Sequence, residues 1–97
     1  MIGLFQTNLI LNRRLFTQEK AKQVVKNYVN EHLDKTDGIQ IEIYDVYVVW
    51  FCKTLQNWKC LLSTNLPDGM YYEVTFNGDK QELYLDAYKK FENRCIK

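Results

Sequence analysis

The chain has little of what breaks structure and little of what performs chemistry. Its 97 residues hold one Pro and four Gly, too few for a linker or a low-complexity tract, and no repeat occurs. The glycines, Gly3, Gly38, Gly69 and Gly78, are scattered singly, so no phosphate-cradling loop is present. A single histidine, His32, leaves no second imidazole for a zinc set and only one side chain that ordinarily titrates near neutrality. Cys52, Cys60 and Cys95 form no C-x-x-C and no disulfide-type spacing, which favours reduced thiols packed as small hydrophobes in a cytoplasmic setting. Neither sign of charge dominates. Thirteen basic and twelve acidic residues leave +1, which excludes the strong field of a protein that holds nucleic acid mainly through phosphates.

A long apolar run is missing too. The opening MIGLFQTNLILNRRLF is interrupted by Gln6, Thr7, Asn8 and Asn12, and its basic pair, Arg13 and Arg14, follows the apolar part. Neither a signal peptide nor a membrane span fits, so the chain is expected in the cytoplasm, with no membrane partner.

What is there belongs to one folded domain: 46% hydrophobic, 14% aromatic and 26% charged residues. From Thr17 the pattern turns helical, with Ala21, Val24, Val25, Tyr28, Val29 and Leu33 at three- and four-residue steps. Thr17 reads as the N-cap, with Glu19 in the first turn, and the helix should stop near Asp34 before Gly38. A period of two then sets in at Ile39, Ile41 and Ile43 and leads into a β-branched and aromatic run over 46–55, a strand region with Asp45 as the point where it can break. Gln56-Asn57-Trp58 reads as a hairpin connection into a strand over 59–64. Asn65-Leu66-Pro67-Asp68-Gly69 is a turn, and 70–76 alternates as a third strand.

Asn77-Gly78 has two readings. It can close a further hairpin into 81–85, or Asp79 and Glu82 can form a capping box opening a helix. The helix is favoured, with Tyr84, Ala87, Tyr88, Phe91 and Cys95 on one face. The expected architecture is therefore a small α+β domain over 17–97, ordered α-β-β-β-α. Its antiparallel meander carries both helices on one face, and 1–16 is an N-terminal extension.

Candidate chemistry is sparse. His32 falls at a helix end, where the dipole favours it without any catalytic role. No catalytic residue, metal ligand or cofactor is assigned, and the chain is not expected to be an enzyme. Aromatic content is the informative feature: Trp50, Phe51, Tyr71, Tyr72 and Phe76 exceed what one face of a three-stranded sheet needs. Some should lie on the face away from the helices, where they could stack bases, bind a protein or join two protomers; alternatively Trp50 is core and the tyrosines are half-buried. Trp58, at an expected hairpin tip, either folds back onto Leu55 and the N-terminal segment or makes a contact. The candidate partner surface is Lys53, Gln56, Asn57, Trp58, Lys59, Tyr71 and Glu73.

The strings VYVVW, CKTLQN, DGMYYEVT, NGDK and YLDAYKKFEN, with the helix end YVNEHLDKTD, carry a resemblance. Over roughly Thr17 to Lys97 the chain resembles a domain-of-unknown-function family of short proteins carried by phages and prophages of Firmicutes-type bacteria. The resemblance implies no activity and no functional residue. Phe51, Trp58 and Cys60 stand where that family suggests smaller or more polar residues, so a contact by Trp58 would be particular to this chain.

Three functions follow as expectations. The first is a phage accessory protein in the bacterial cytoplasm that binds and modulates a host protein, plausibly a defence component. The second is nucleic-acid binding, because α-β-β-β-α is also the order of a double-stranded-RNA-binding domain and Lys53, Lys59, Lys89 and Lys90 could form a basic stripe. The third is a homo-oligomeric sponge for a nucleotide signal.

Overall fold

The computed structural model describes the backbone of residues 2–33 and 38–97, and the side chains of residues 17–33 and 38–97. A long helix, α1 (Ile2–His32), precedes a short 3₁₀ turn (Ile43–Asp45) and four strands. These are β1 (Val46–Thr54), β2 (Asn57–Thr64), β3 (Met70–Asn77) and β4 (Glu82–Lys89). The strands form one antiparallel meander in the order β1-β2-β3-β4, with α1 packed on one face.

The packing follows from two periodicities. On α1, Ala21, Val25 and Val29 recur every fourth residue, line one stripe and are buried. On β2, Trp58, Cys60 and Leu62 alternate with Lys59 and Leu61, so the first set faces α1. Register then carries the same face across the sheet. Trp58 pairs with Phe76, Cys60 with Val74 and Leu62 with Tyr72. Burying a Val or Leu side chain of this kind contributes about 1.5–3 kcal/mol. The helix makes its main contacts with β1, β2 and β3, and β4 is an edge strand of the sheet.

A polar clasp holds the linker to the helix. Asn30 on α1 donates from Nδ2 to the Ile41 carbonyl at 3.0 Å and accepts the Ile41 N–H at 2.9 Å, which seats Ile41 in the core. At the turn that follows, Asp45 accepts the Glu42 N–H at 2.8 Å, and Asp45 N–H donates to the Glu42 carbonyl at 2.9 Å.

The α+β meander is as expected, but five local expectations are corrected. Thr17 is no N-cap, because α1 runs unbroken from Ile2; the sequence around Thr17 holds no Gly or Pro, and one interior Thr costs only a few tenths of a kcal/mol. The packing of the side chains of residues 1–16, and the helix stop near Asp34, lie outside the described residues. Residues 39–43 form no strand: Ile41 is buried while Ile39 is half exposed, and the segment is tied to α1 rather than to a neighbouring strand. The β1–β2 turn is Leu55-Gln56, so Asn57 and Trp58 already belong to β2. The thiols of Cys52 and Cys95 are exposed, and only Cys60 is buried.

The fifth correction is the C-terminal helix, which is β4 instead. Leu83, Leu85 and Ala87 alternate with Glu82, Tyr84, Asp86 and Tyr88, and all eight residues pair in unbroken register with β3. Tyr84 and Tyr88 share a face under either periodicity, which made the helical reading self-consistent. Pairing with the otherwise open edge of β3 decides for the strand.

Candidate interaction surface

The face of the sheet opposite α1 is a grid fixed by register. Its first row is Tyr47, Ser63, Tyr71 and Tyr88; its second is Trp50, Leu61, Glu73 and Asp86. A third row runs Cys52, Lys59, Thr75 and Tyr84. Trp50 reaches this face because the β1–β2 register shifts between Val48 and Trp50, leaving Val49 as an extra residue. Tyr47 (46% exposed), Trp50 (41%), Tyr84 and Tyr88 (51% each) therefore present rings to solvent on both edges of one surface.

Of the five aromatics singled out in the sequence, Trp50 and Tyr71 lie on this outer face. Phe51, Tyr72 and Phe76 face α1. Tyr72 is buried against Tyr28, and burial, with Asp68 and Tyr28 adding, raises its hydroxyl pKa above the ordinary value. Tyr84 donates a hydrogen bond to Glu82 and its pKa is also raised, first by that bond.

Charge on the outer face is arranged unevenly. Glu73 and Asp86 stand directly opposite each other across β3 and β4. Lys59 pairs with Glu73 at 3.4 Å, and Lys90 lies 5.9 Å from the centre of the Tyr71 ring. An acidic pair flanked by Tyr71, Tyr84 and Tyr88 is thus placed on β3 and the edge strand β4, one member of it compensated by Lys59.

The candidate residues at the β1–β2 tip have a different fate. Trp58 is 6% exposed and stacks on Phe76 at 5.7 Å, with Phe51 at 6.0 Å on another side. Moving the turn to Leu55-Gln56 puts Trp58 into the strand alternation and so onto the inner face, while Leu55 projects into solvent. Asn57 accepts the Gly78 N–H at 2.8 Å, and Gln56 donates to the Asp79 carboxylate. Lys53 donates to the Leu55 carbonyl. Gly78 is required where it stands, because a Cβ there would lie 2.3 Å from the Gln56 carbonyl oxygen. Gln56, Asn57, Trp58 and Lys53 thus hold this end of the sheet together. Tyr71, Glu73 and Lys59 are the candidates that the sheet gathers on its outer face.

A depression of about 290 Å³ opens beside this end, bordered by Cys52, Asn57, Trp58, Lys59, Thr75 and Phe76. His32 is exposed at the end of α1, where its Nδ1 lies 2.8 Å from the Tyr28 carbonyl, and its ring sits 4.1 Å from the Tyr28 ring. A carbonyl only accepts, so Nδ1 carries the proton in this contact. The buried Cys60 thiol is pushed up to about 11, chiefly by desolvation and against an opposing pull from Lys22. Among the described residues, no three His, Cys, Asp or Glu side chains gather as a metal ion requires, and no helix is long and apolar enough to cross a membrane.

The family of unknown function DUF6275 matches residues 18–97, which hold every strand and the part of α1 that covers them. The chain belongs to DUF6275. No curated protein and no solved structure matches it. Membership names no activity. In this DUF6275 chain the four lysines expected to form a basic stripe are dispersed: Lys59 and Lys90 are engaged with Glu73 and Tyr71, Lys53 sits at the tip, and Lys89 has the register of the helix-side face.

Proposed function

We propose that this DUF6275 chain is a non-enzymatic phage accessory protein that binds and modulates a bacterial host protein, a defence component, through the outer face of its sheet. The observation that carries the reading is the exposure of Tyr47, Trp50, Tyr84 and Tyr88 on the one sheet face that α1 leaves open. Tyr and Trp offer large contact area at small conformational cost, which is why they concentrate in recognition surfaces. The opposed Glu73 and Asp86 favour a partner that presents Lys or Arg among apolar groups, since a cation satisfies both the carboxylates and the flanking rings. The same acidic centre works against phosphate, and the dispersed lysines give nucleic acid no continuous track. The phage origin and the host context rest on the resemblance in the strand strings.

The test is affinity purification from a Firmicutes-type host at native expression, with the chain and a Tyr47→Ala/Trp50→Ala variant in parallel. The reading expects one stoichiometric protein recovered with the unaltered chain and lost with the variant. Recovery of no partner, or equal recovery with both, overturns it.

A further inference from the structure

The two edges of the sheet differ. β1 is disrupted by the irregularity between Val48 and Trp50, which discourages pairing with another strand. β4 has neither a bulge nor a proline, and it pairs with β3 over its whole length in regular register. Its other side presents the second row of backbone groups with no strand against it among the described residues. Its helix-side face is also uncovered: Leu83 and Ala87 are exposed and Leu85 is only partly buried. An edge that is straight, unbulged and apolar on one face is a template for a further strand.

We propose that β4 pairs antiparallel with β4 of a second copy of this chain, joining two four-stranded sheets into one about a two-fold axis at Leu85. The sequence Glu82-Leu83-Tyr84-Leu85-Asp86-Ala87-Tyr88-Lys89 is self-complementary in this register. Leu85 meets the partner's Leu85, and Leu83 meets the partner's Ala87 on the helix-side face. Tyr84 meets the partner's Asp86 and Glu82 meets the partner's Tyr88 on the outer face, each a hydroxyl against a carboxylate. A slip of one residue per pair would bring helix-side and outer faces into opposition. The other register of comparable overlap, centred on Asp86, sets Asp86 against the partner's Asp86. Charge therefore selects the Leu85-centred pairing. The two exposed apolar strips then merge into one floor between the helices of the two protomers, and each copy loses an open edge.

The experiment is sedimentation equilibrium of the full chain, coupled to disulfide trapping. The unaltered chain should sediment at twice the 11.7 kDa protomer mass, and Leu85→Glu, which sets like charges at the axis, should return it to one protomer. For trapping, the exposed Cys52 and Cys95 are replaced by Ser and a single Cys is placed at Leu85 or at Leu83. Leu85→Cys should oxidise to a covalent dimer, because residues directly opposite in an antiparallel pair lie within disulfide reach. Leu83→Cys, which faces the partner's Ala87, should not. A monomer at every concentration overturns the proposal, as does a dimer that Leu83→Cys traps as well as Leu85→Cys. The trapping pair decides the matter should Leu85→Glu fail to fold.

Discussion

Asn57 accepts the backbone N–H of Gly78 at 2.8 Å, and through that bond the β1–β2 hairpin is tied to the β3–β4 turn. The two turns approach so closely that position 78 has no room for a side chain. Gly78→Ala is therefore expected to destabilise the fold by about 2–4 kcal/mol, as overpacking against backbone does. Asn57→Ala, which leaves the N–H unpaired, should cost about 1–3 kcal/mol. Urea unfolding followed by circular dichroism measures both, and a shift within a few tenths of a kcal/mol for Gly78→Ala would contradict the packing.

The two tryptophans should behave as opposites. Trp58 is enclosed by Phe51 and Phe76, while Trp50 is 41% exposed on the outer face. In Trp50→Phe the remaining emission should be blue-shifted and shielded from iodide; in Trp58→Phe it should be red-shifted and readily quenched. Trp58→Ala should cost about 3–5 kcal/mol, whereas Trp50→Ala should cost far less.

How much of this could be read from residues alone depends on how local the deciding interaction is. The helical stripe of Ala21, Val25 and Val29 and the alternation of β3 are carried by short-range periodicity, and the structure has them where the pattern puts them. The β1–β2 turn was misplaced because Leu55 adopts φ 54°, a conformation that Leu disfavours and that no composition rule points to. That displacement alone carried Trp58 from an imagined tip to the core. The β4 sequence reads as a helix because Tyr84, Ala87, Tyr88 and Phe91 satisfy helical spacing, while the open edge of β3 that recruits the strand is a tertiary fact. The outer-face aromatics were foreseen as a surplus, but only the register assigned Trp50 and Tyr71 outward and Phe51, Tyr72 and Phe76 inward.

Stability should fall in alkali through Cys60. Its thiol pKa is raised from 9.0 to about 11 in the fold, so between these values the unfolded chain has lost a proton that the native chain keeps. Fewer bound protons in the unfolded state mean that stability declines as pH rises through that window, by at most about 1.4 kcal/mol per pH unit for this group. Below pH 9 the contribution is flat. Tyr72, also raised, adds in the same direction at higher pH. Thermal midpoints of the chain and of Cys60→Ala across this range check the sign: the decline should be shallower in the variant.

The opposed Glu73 and Asp86 predict a separation of stability from binding. Like charges directly across a strand pair are unfavourable, so Asp86→Asn should leave the fold as stable or stabilise it by about 0.2–1 kcal/mol. The same change removes a carboxylate that the proposed cationic partner would meet, and should weaken that binding. Chemical denaturation and partner titration on one preparation read both effects.

The proposed binding role of the outer face is tested most directly by titration calorimetry against the protein that affinity purification is expected to recover. Tyr47→Ala/Trp50→Ala should weaken the affinity at least about tenfold, or ~1.4 kcal/mol, while circular dichroism stays native. Unchanged affinity in a folded variant would contradict the assignment of this face as the binding surface.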